Sequence, residues 1–135
     1  MLDTDHLSLN QRGHPKIRER LTLIPADEIA ITIITAEEQL RGRLAQLGKA
    51  TSGHARSTAY LYLRKAILGL AKLNILDYDA SSESIYQGLK LQRIRAGSQD
   101  LRIAAITLAN NGTLVTGNRS DFAKVSGLML EDWTI

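Results

Sequence analysis

Two spacings alternate along this chain. Short runs of β-branched and apolar residues are separated by longer stretches in which apolar side chains return every three or four positions. The run from Glu28 to Ile34, bounded by Pro25 and Asp27, predicts a buried strand. Thr35-Ala36-Glu37-Glu38 follows, a Thr-x-x-Glu capping box that predicts a helix from there to about Gly48. From Ser57 to Leu73 a longer amphipathic pattern puts Leu61, Ile67, Leu70 and Leu73 on related faces. Ile75 to Tyr78 predicts a short strand. Helices are expected from about Ala80 to Arg95, ending near Gly97, and from about Ser98 to Asn110. Asn111-Gly112 is a helix-ending or turn signal. Thr113 to Thr116 predicts a short buried strand and Leu128 to Leu130 another, and Leu2 with its neighbours would be a first strand of minimal length.

Short apolar strands alternating with helices imply an α/β fold, a parallel sheet covered on both faces. A chain of 135 residues has the length of one ordinary domain, so residues 1–135 are expected to form one. Hydrophobic residues make up 44% of the chain, enough for a core without staples. The absence of cysteine excludes disulfides and thiolate metal sites and fits a cytoplasmic location. Acids at Asp3 and Asp5 stand where a secretory signal would carry lysines, and no apolar run reaches membrane-span length. The net charge of +3 says little. Its clustering says more: Lys16, Arg18 and Arg20, then Arg41 and Arg43, Arg64 and Lys65, Arg93 and Arg95 are candidate phosphate contacts, or else solvated helix faces.

Acids carry the candidate chemistry. Asp3 (with Asp5), Glu38, Asp100 and Asp121 stand out, and each has a plain structural alternative. Asp5 would cap a helix starting at His6, and Glu38 completes the capping box. Asp100 suits the dipole of a helix start, and Asp121 a turn. Topology favours a shared site. In an open parallel sheet, ligands sit beyond the carboxyl ends of the strands. Asp3 follows the first strand, Glu38 the second, and Asn118 with Asp121 the strand at Thr113 to Thr116. Asp100 is the exception, since a helix and not a strand precedes it. Converging carboxylates repel unless a cation sits among them, and hard oxygen donors suit Mg²⁺ or Mn²⁺. Ions so held activate water and stabilise the leaving oxygen of a phosphodiester. His6, His14 and His54 lack zinc-ligand spacing. His6, beside the acids, reads as a surface or cap residue or as a substrate contact. No GxGxxG or Walker pattern occurs.

These segments carry a resemblance that covers essentially the whole chain. Leu2-Asp3-Thr4-Asp5-His6-Leu7-Ser8 resembles the N-terminal Asp-Thr-Asn/Asp motif of VapC-type PIN domains. The run Ile31 to Gly42, with Glu38 and Gly42, looks like the family's strand followed by Glu-x-x-x-Gly. Asp79 and Tyr86 resemble its Tyr-Asp and Ala-x-x-Tyr segment. Asp100 to Ala105 leads into Asn111 to Thr116, then Asn118, Asp121-Phe122, Val125, Gly127-Leu128 and Glu131-Asp132-Trp133. The resemblance implies a PIN-like three-layer fold, a short parallel central sheet flanked by helices. It also implies a Mg²⁺- or Mn²⁺-dependent endoribonuclease toxin, silenced by a cognate VapB-like antitoxin and forming a homodimer, with no membrane role. Transfer RNA is the first expectation for its substrate. Position by position, Asp3, Glu38 and Asp100 would be the core metal-binding carboxylates and Asp121 the fourth acid at the metal or the ligand of a metal-linked water; Thr4, Asp5, Thr116 and Asn118 would support them. Asn118 stands where some relatives carry Asp, and Asp5 where Asn is frequent.

Two rival readings belong to other classes. Asp3-Thr4-Asp5 also resembles the nucleophile motif of haloacid-dehalogenase-like phosphatases, with Asp3 as nucleophile. That chemistry needs a downstream lysine and a paired acid, and the chain offers Lys124 and an Asp121 followed by Phe122. The other rival is a non-catalytic RNA-binding PIN module, against which all four acidic positions are filled.

Overall fold

A computed structural model of the protein describes residues 1–135. Helix α1 (Thr4–Gln11) starts at once, because Asp3 caps it by accepting the His6 N–H. Helix α2 (Pro15–Thr22) opens on a proline whose missing N–H costs nothing there, with His14 as its cap. A 3₁₀ turn (Ala26–Glu28) leads into β1 (Ile31–Thr32). Then come α3 (Ile33–Lys49), α4 (Gly53–Ala71), β2 (Ile75–Leu76), α5 (Ala80–Leu91) and α6 (Ser98–Ala109). Strand β3 (Thr113–Val115), the short α7 (Arg119–Phe122) and β4 (Met129–Glu131) complete the chain.

The strands are short, and main-chain bonds join them into one parallel layer. β1 pairs with β2, Ile31 opposite Ile75, and β3 pairs with β4, Leu114 opposite Leu130. Residues 1–3 lie between the two pairs. The Leu2 N–H donates to the Ala30 carbonyl at 3.0 Å, and the Asp3 N–H to the Val115 carbonyl at 3.0 Å. From β2 the order is therefore β2, β1, residues 1–3, β3, β4. The chain starts at the centre, builds outward to one side, then crosses back and builds to the other. The gap between residues 1–3 and their neighbours is the topological switch point, where such sheets hold ligands.

One apolar cluster, including Leu101, Ile106, Leu114 and Phe122, covers one side of this layer. The other, including Leu2, Leu7, Ile17, Ile31 and Val115, covers the opposite side. Adjacent residues Leu114 and Val115 go to different clusters, as the two-residue period of a strand requires. This is the expected three-layer α/β arrangement. No helix is long and apolar enough to cross a membrane.

Several expectations change. The strand expected over Glu28 to Ile34 shrinks to two residues, because Thr32 ends it by capping α3: its hydroxyl accepts the Thr35 N–H at 3.1 Å. Ile33 and Ile34, read as strand by β propensity, and Thr35, read as the helix cap, form the first helical turn instead. The capping box at Thr35 and Glu38 therefore does not form, and Glu38 lies in the second turn. Asp5 caps nothing, since Asp3 holds that role. The amphipathic pattern from Ser57 to Leu73 becomes α4, but only Leu70 of its four apolar markers is buried; Leu61 and Ile67 face outward and Leu73 lies beyond the helix end. α5 stops short of Arg95, and Arg93 just after it takes a positive φ of 55°. Asn111, with φ of 52°, ends α6 as its Asn-Gly signal predicted. α2 and α7 were not expected; each is a turn or two long, too short to register a period.

Candidate active site

Six of the eight candidate residues meet in one cleft of about 170 Å³. Asp3, Thr4, Asp5, Glu38, Asp100 and Asn118 line it, with Ile103 and Phe122 as its apolar walls. Asp121 stands beside the cleft and Thr116 is buried beneath it. The exception among the acids, Asp100, is placed by connectivity. α6 turns through Asn111 and Gly112 into β3, so it runs antiparallel to the strands and must begin at their carboxyl edge. Asp100 sits in that first turn.

Three of the acids, Asp3, Glu38 and Asp121, are each held by a neighbour. Asp3 is buried, and its Oδ1 accepts the His6 N–H at 2.8 Å and faces His6 Nδ1 at 3.3 Å. Glu38 Oε1 accepts the Thr4 hydroxyl at 2.7 Å. Behind Thr4 the hydroxyls of Thr35 and Thr32 continue the chain, at 3.3 and 3.4 Å. Asp121 Oδ2 accepts the Asn118 amide at 3.1 Å, and Asn118 is itself fixed by its N–H donating to Thr116 Oγ1 at 2.9 Å. Asp100 has no hydrogen-bond donor. Its carboxyl pKa is raised, by burial first and then by the charges of Glu38, Asp121, Asp3 and Asp5. Four acids press on one carboxylate that has no basic side chain within ion-pairing distance.

Sequence reasoning undervalued His6. It is buried rather than a surface histidine, and it ties Asp3 to the far end of the chain. The Trp133 N–H donates to His6 Nε2 at 3.2 Å. That bond needs the Nε2 lone pair, which leaves the ring proton on Nδ1, aimed at Asp3. Asp132 Oδ1 is 3.4 Å from Nε2 but is turned to Thr134, whose N–H and hydroxyl it accepts. Those bonds, the hydroxyl's first, hold the Asp132 carboxyl below its usual range. The only sequence signal for this role was the adjacency of His6 to the acids. Lys124, the lysine a phosphatase reading needs, does not line the cleft.

No protein-family model matches the chain. Ribonuclease VapC1 of Haemophilus influenzae is 29% identical over 141 aligned positions, which cover 99% of this chain and 97% of that protein. The solved structure of VapBC-1 from nontypeable Haemophilus influenzae superposes with a TM-score of 0.77 at 27% identity, covering 100% of this chain and 98% of that one. VapBC2 from Rickettsia felis, bound to a promoter DNA fragment, gives 0.72 at 28% identity, over 98% and 97% of the two chains. Over its whole length the chain is similar in sequence and fold to VapC-type PIN-domain ribonucleases. The likeness runs end to end, so it includes the sheet centre and both segments that flank the cleft.

The donor set fits the divalent ion expected of such a site. It consists of carboxylate, hydroxyl and amide oxygens with no sulfur, the ligands of a hard cation. The Asp100 carboxylate, pressed by four like charges and free of donors, is where such an ion relieves most repulsion. As they stand, no three His, Asp or Glu side chains are close enough to share one ion. One oxygen each of Asp3, Glu38 and Asp121 is already engaged by a protein donor.

Proposed function

We propose that the chain is an endoribonuclease toxin that hydrolyses RNA phosphodiester bonds at the Asp3, Glu38 and Asp100 cleft. The observation that carries this reading is the convergence of acids at the switch point of a fold shared with the solved VapBC-1 structure, in a chain similar in sequence to ribonuclease VapC1. Asp3, Glu38 and Asp100 would hold Mg²⁺ or Mn²⁺, with Asp121 as the outer acid. The chemistry such an ion supplies is charge: it offsets the phosphodiester and makes water a better nucleophile at neutral pH. The chain's own residues orient. His6 fixes which Asp3 oxygen faces inward, and Thr4 does the same for Glu38. Asn118 holds Asp121 at the rim, and Ile103 with Phe122 limits water behind the acids. Asp5 is exposed and at the mouth, where it adds charge without being held.

A VapB-like antitoxin is the expected partner, since the solved relatives are VapBC complexes. The outward apolar side of α4, with Tyr60, Leu61, Ile67 and Leu68 exposed, offers surface for such a partner or for a second copy. Transfer RNA remains the first substrate to try, and the cytoplasm the compartment in which both would be met. The decisive experiment is RNA cleavage with Mg²⁺ or Mn²⁺, with and without EDTA. Cleavage that persists undiminished in EDTA would refute the metal mechanism, and a protein that cleaves no RNA would refute the enzyme.

A further inference from the structure

A second depression adjoins the acid cleft and shares Thr4 and Glu38 with it. It is a groove of about 720 Å³ between α1, α3 and α4, and its floor is polar: only two of its 13 lining residues are hydrophobic. Arg12, Arg43 and Lys65 line it, and Glu38 is its single acid, at the cleft end. None of the three cations has a carboxylate within ion-pairing distance, whereas Arg41 on the same helix is paired with Glu37. Two of them are gathered on one ring. The Arg43 guanidinium carbon lies 5.3 Å from the centre of the Tyr62 ring and Lys65 Nζ 5.7 Å from it. The electron-rich ring face offsets the repulsion between like charges held this close. Cations gathered in a polar groove with no anion of their own, opening onto an acidic cleft, suit a polyanion whose reacting bond lies at the acids.

We propose that this groove is the backbone track for single-stranded RNA, with Arg12, Arg43 and Lys65 meeting successive phosphates and Tyr62 holding the latter two in place. The inference rests on the ribonuclease reading above and adds the surface that binds the strand. The near absence of apolar side chains argues against an amphipathic protein helix as the occupant, for which α4's outer side is the better match.

The test uses a fluorescein-labelled 12-nucleotide single-stranded RNA of mixed sequence. Its binding is followed by anisotropy in EDTA across a salt series, and its cleavage is read separately with Mn²⁺. Each phosphate contact on a single strand contributes about 0.7 to the slope of log affinity against log salt, or roughly fivefold in affinity at 0.1 M salt. Arg43→Gln and Lys65→Gln should each weaken binding by about that factor, flatten the slope by about 0.7, and raise KM with little change in kcat. Tyr62→Phe should bind as the parent, while Tyr62→Leu should lose affinity although no charge is removed. If the neutralised variants bind and cleave the 12-mer as the parent does, the track is wrong, although the parent's own cleavage leaves the enzyme reading standing. If they lose only antitoxin binding, the groove belongs to a protein and the inference is overturned. If the parent cleaves no RNA, it is the enzyme reading that fails.

Discussion

At the scale of single residues, Asp100 and His6 have opposite parts, one strained and one supporting. Burial and four neighbouring acids raise the Asp100 pKa, so the folded state binds that proton more tightly than the unfolded chain does. The penalty on folding is therefore present in full above the raised folded value. It falls away as pH drops through that value towards the ordinary 3.8. Asp100→Asn should accordingly raise the melting temperature at neutral pH and narrow its gain at acid pH, while cutting metal-dependent cleavage by roughly a hundredfold or more. Parent-like cleavage would return Asp100 to the role of a helix-start residue. His6 is tested by two substitutions. Asparagine keeps a donor near the Nδ1 position but offers no acceptor to the Trp133 N–H. His6→Asn should thus keep more cleavage than His6→Ala while losing comparable stability. Equal losses of cleavage in the two would show that the ring only fills space. Glu83 is exposed on α5, and Glu83→Gln should change neither readout, its bonds to Tyr78 and Gln87 being at the surface.

At the scale of elements, the caps decide where chemistry lands. Thr32, not Thr35, starts α3, and this advances the helix by three residues and swings Glu38 into line with Thr4. Thr32→Ala should cost about 1 kcal/mol, the usual worth of an N-cap, measured by denaturant unfolding. Glu38→Gln should lose cleavage without that loss of stability, because no capping bond depends on Glu38. A destabilised Glu38→Gln would mean that the box forms after all. Asp79 caps α5, accepting the Ser82 N–H at 2.8 Å and its hydroxyl at 3.0 Å, and those bonds lower its pKa. A depressed carboxyl stabilises the fold above its unfolded value and ceases to as pH falls through its folded one. Asp79→Asn should therefore flatten the acid limb of the melting curve below about pH 4, where the parent loses this support. The Asp79 segment that resembled the family's Tyr-Asp signature thus has a local structural task.

At the scale of the whole molecule, the ion and the fold should be coupled. A ligand that binds only the native cleft stabilises it by about 2.7 kcal/mol at a hundred times its Kd, so Mn²⁺ should raise the melting temperature of the parent. Asp3→Asn and Asp100→Asn should lose that rise; a rise kept by both would place the ion elsewhere. What the sequence determined alone was whatever is local or periodic: the helix over Ser98 to Asn110, the turn at Asn111-Gly112, the buried run at Thr113, and acids beside the strand ends. Those signals lie within a few residues of one another, where capping and periodicity operate. The two-residue extent of β1 and β2 was beyond it, because strands that short exist only through each other, Ile31 opposite Ile75, far apart along the chain. The outward turn of Leu61 and Ile67 was likewise hidden, since periodicity names an apolar face but not what covers it. The link from Asp3 through His6 to Trp133 spans 127 positions between its last two members. Only closure of the sheet, with residues 1–3 at its centre and β4 at its edge, brings those groups within hydrogen-bond reach.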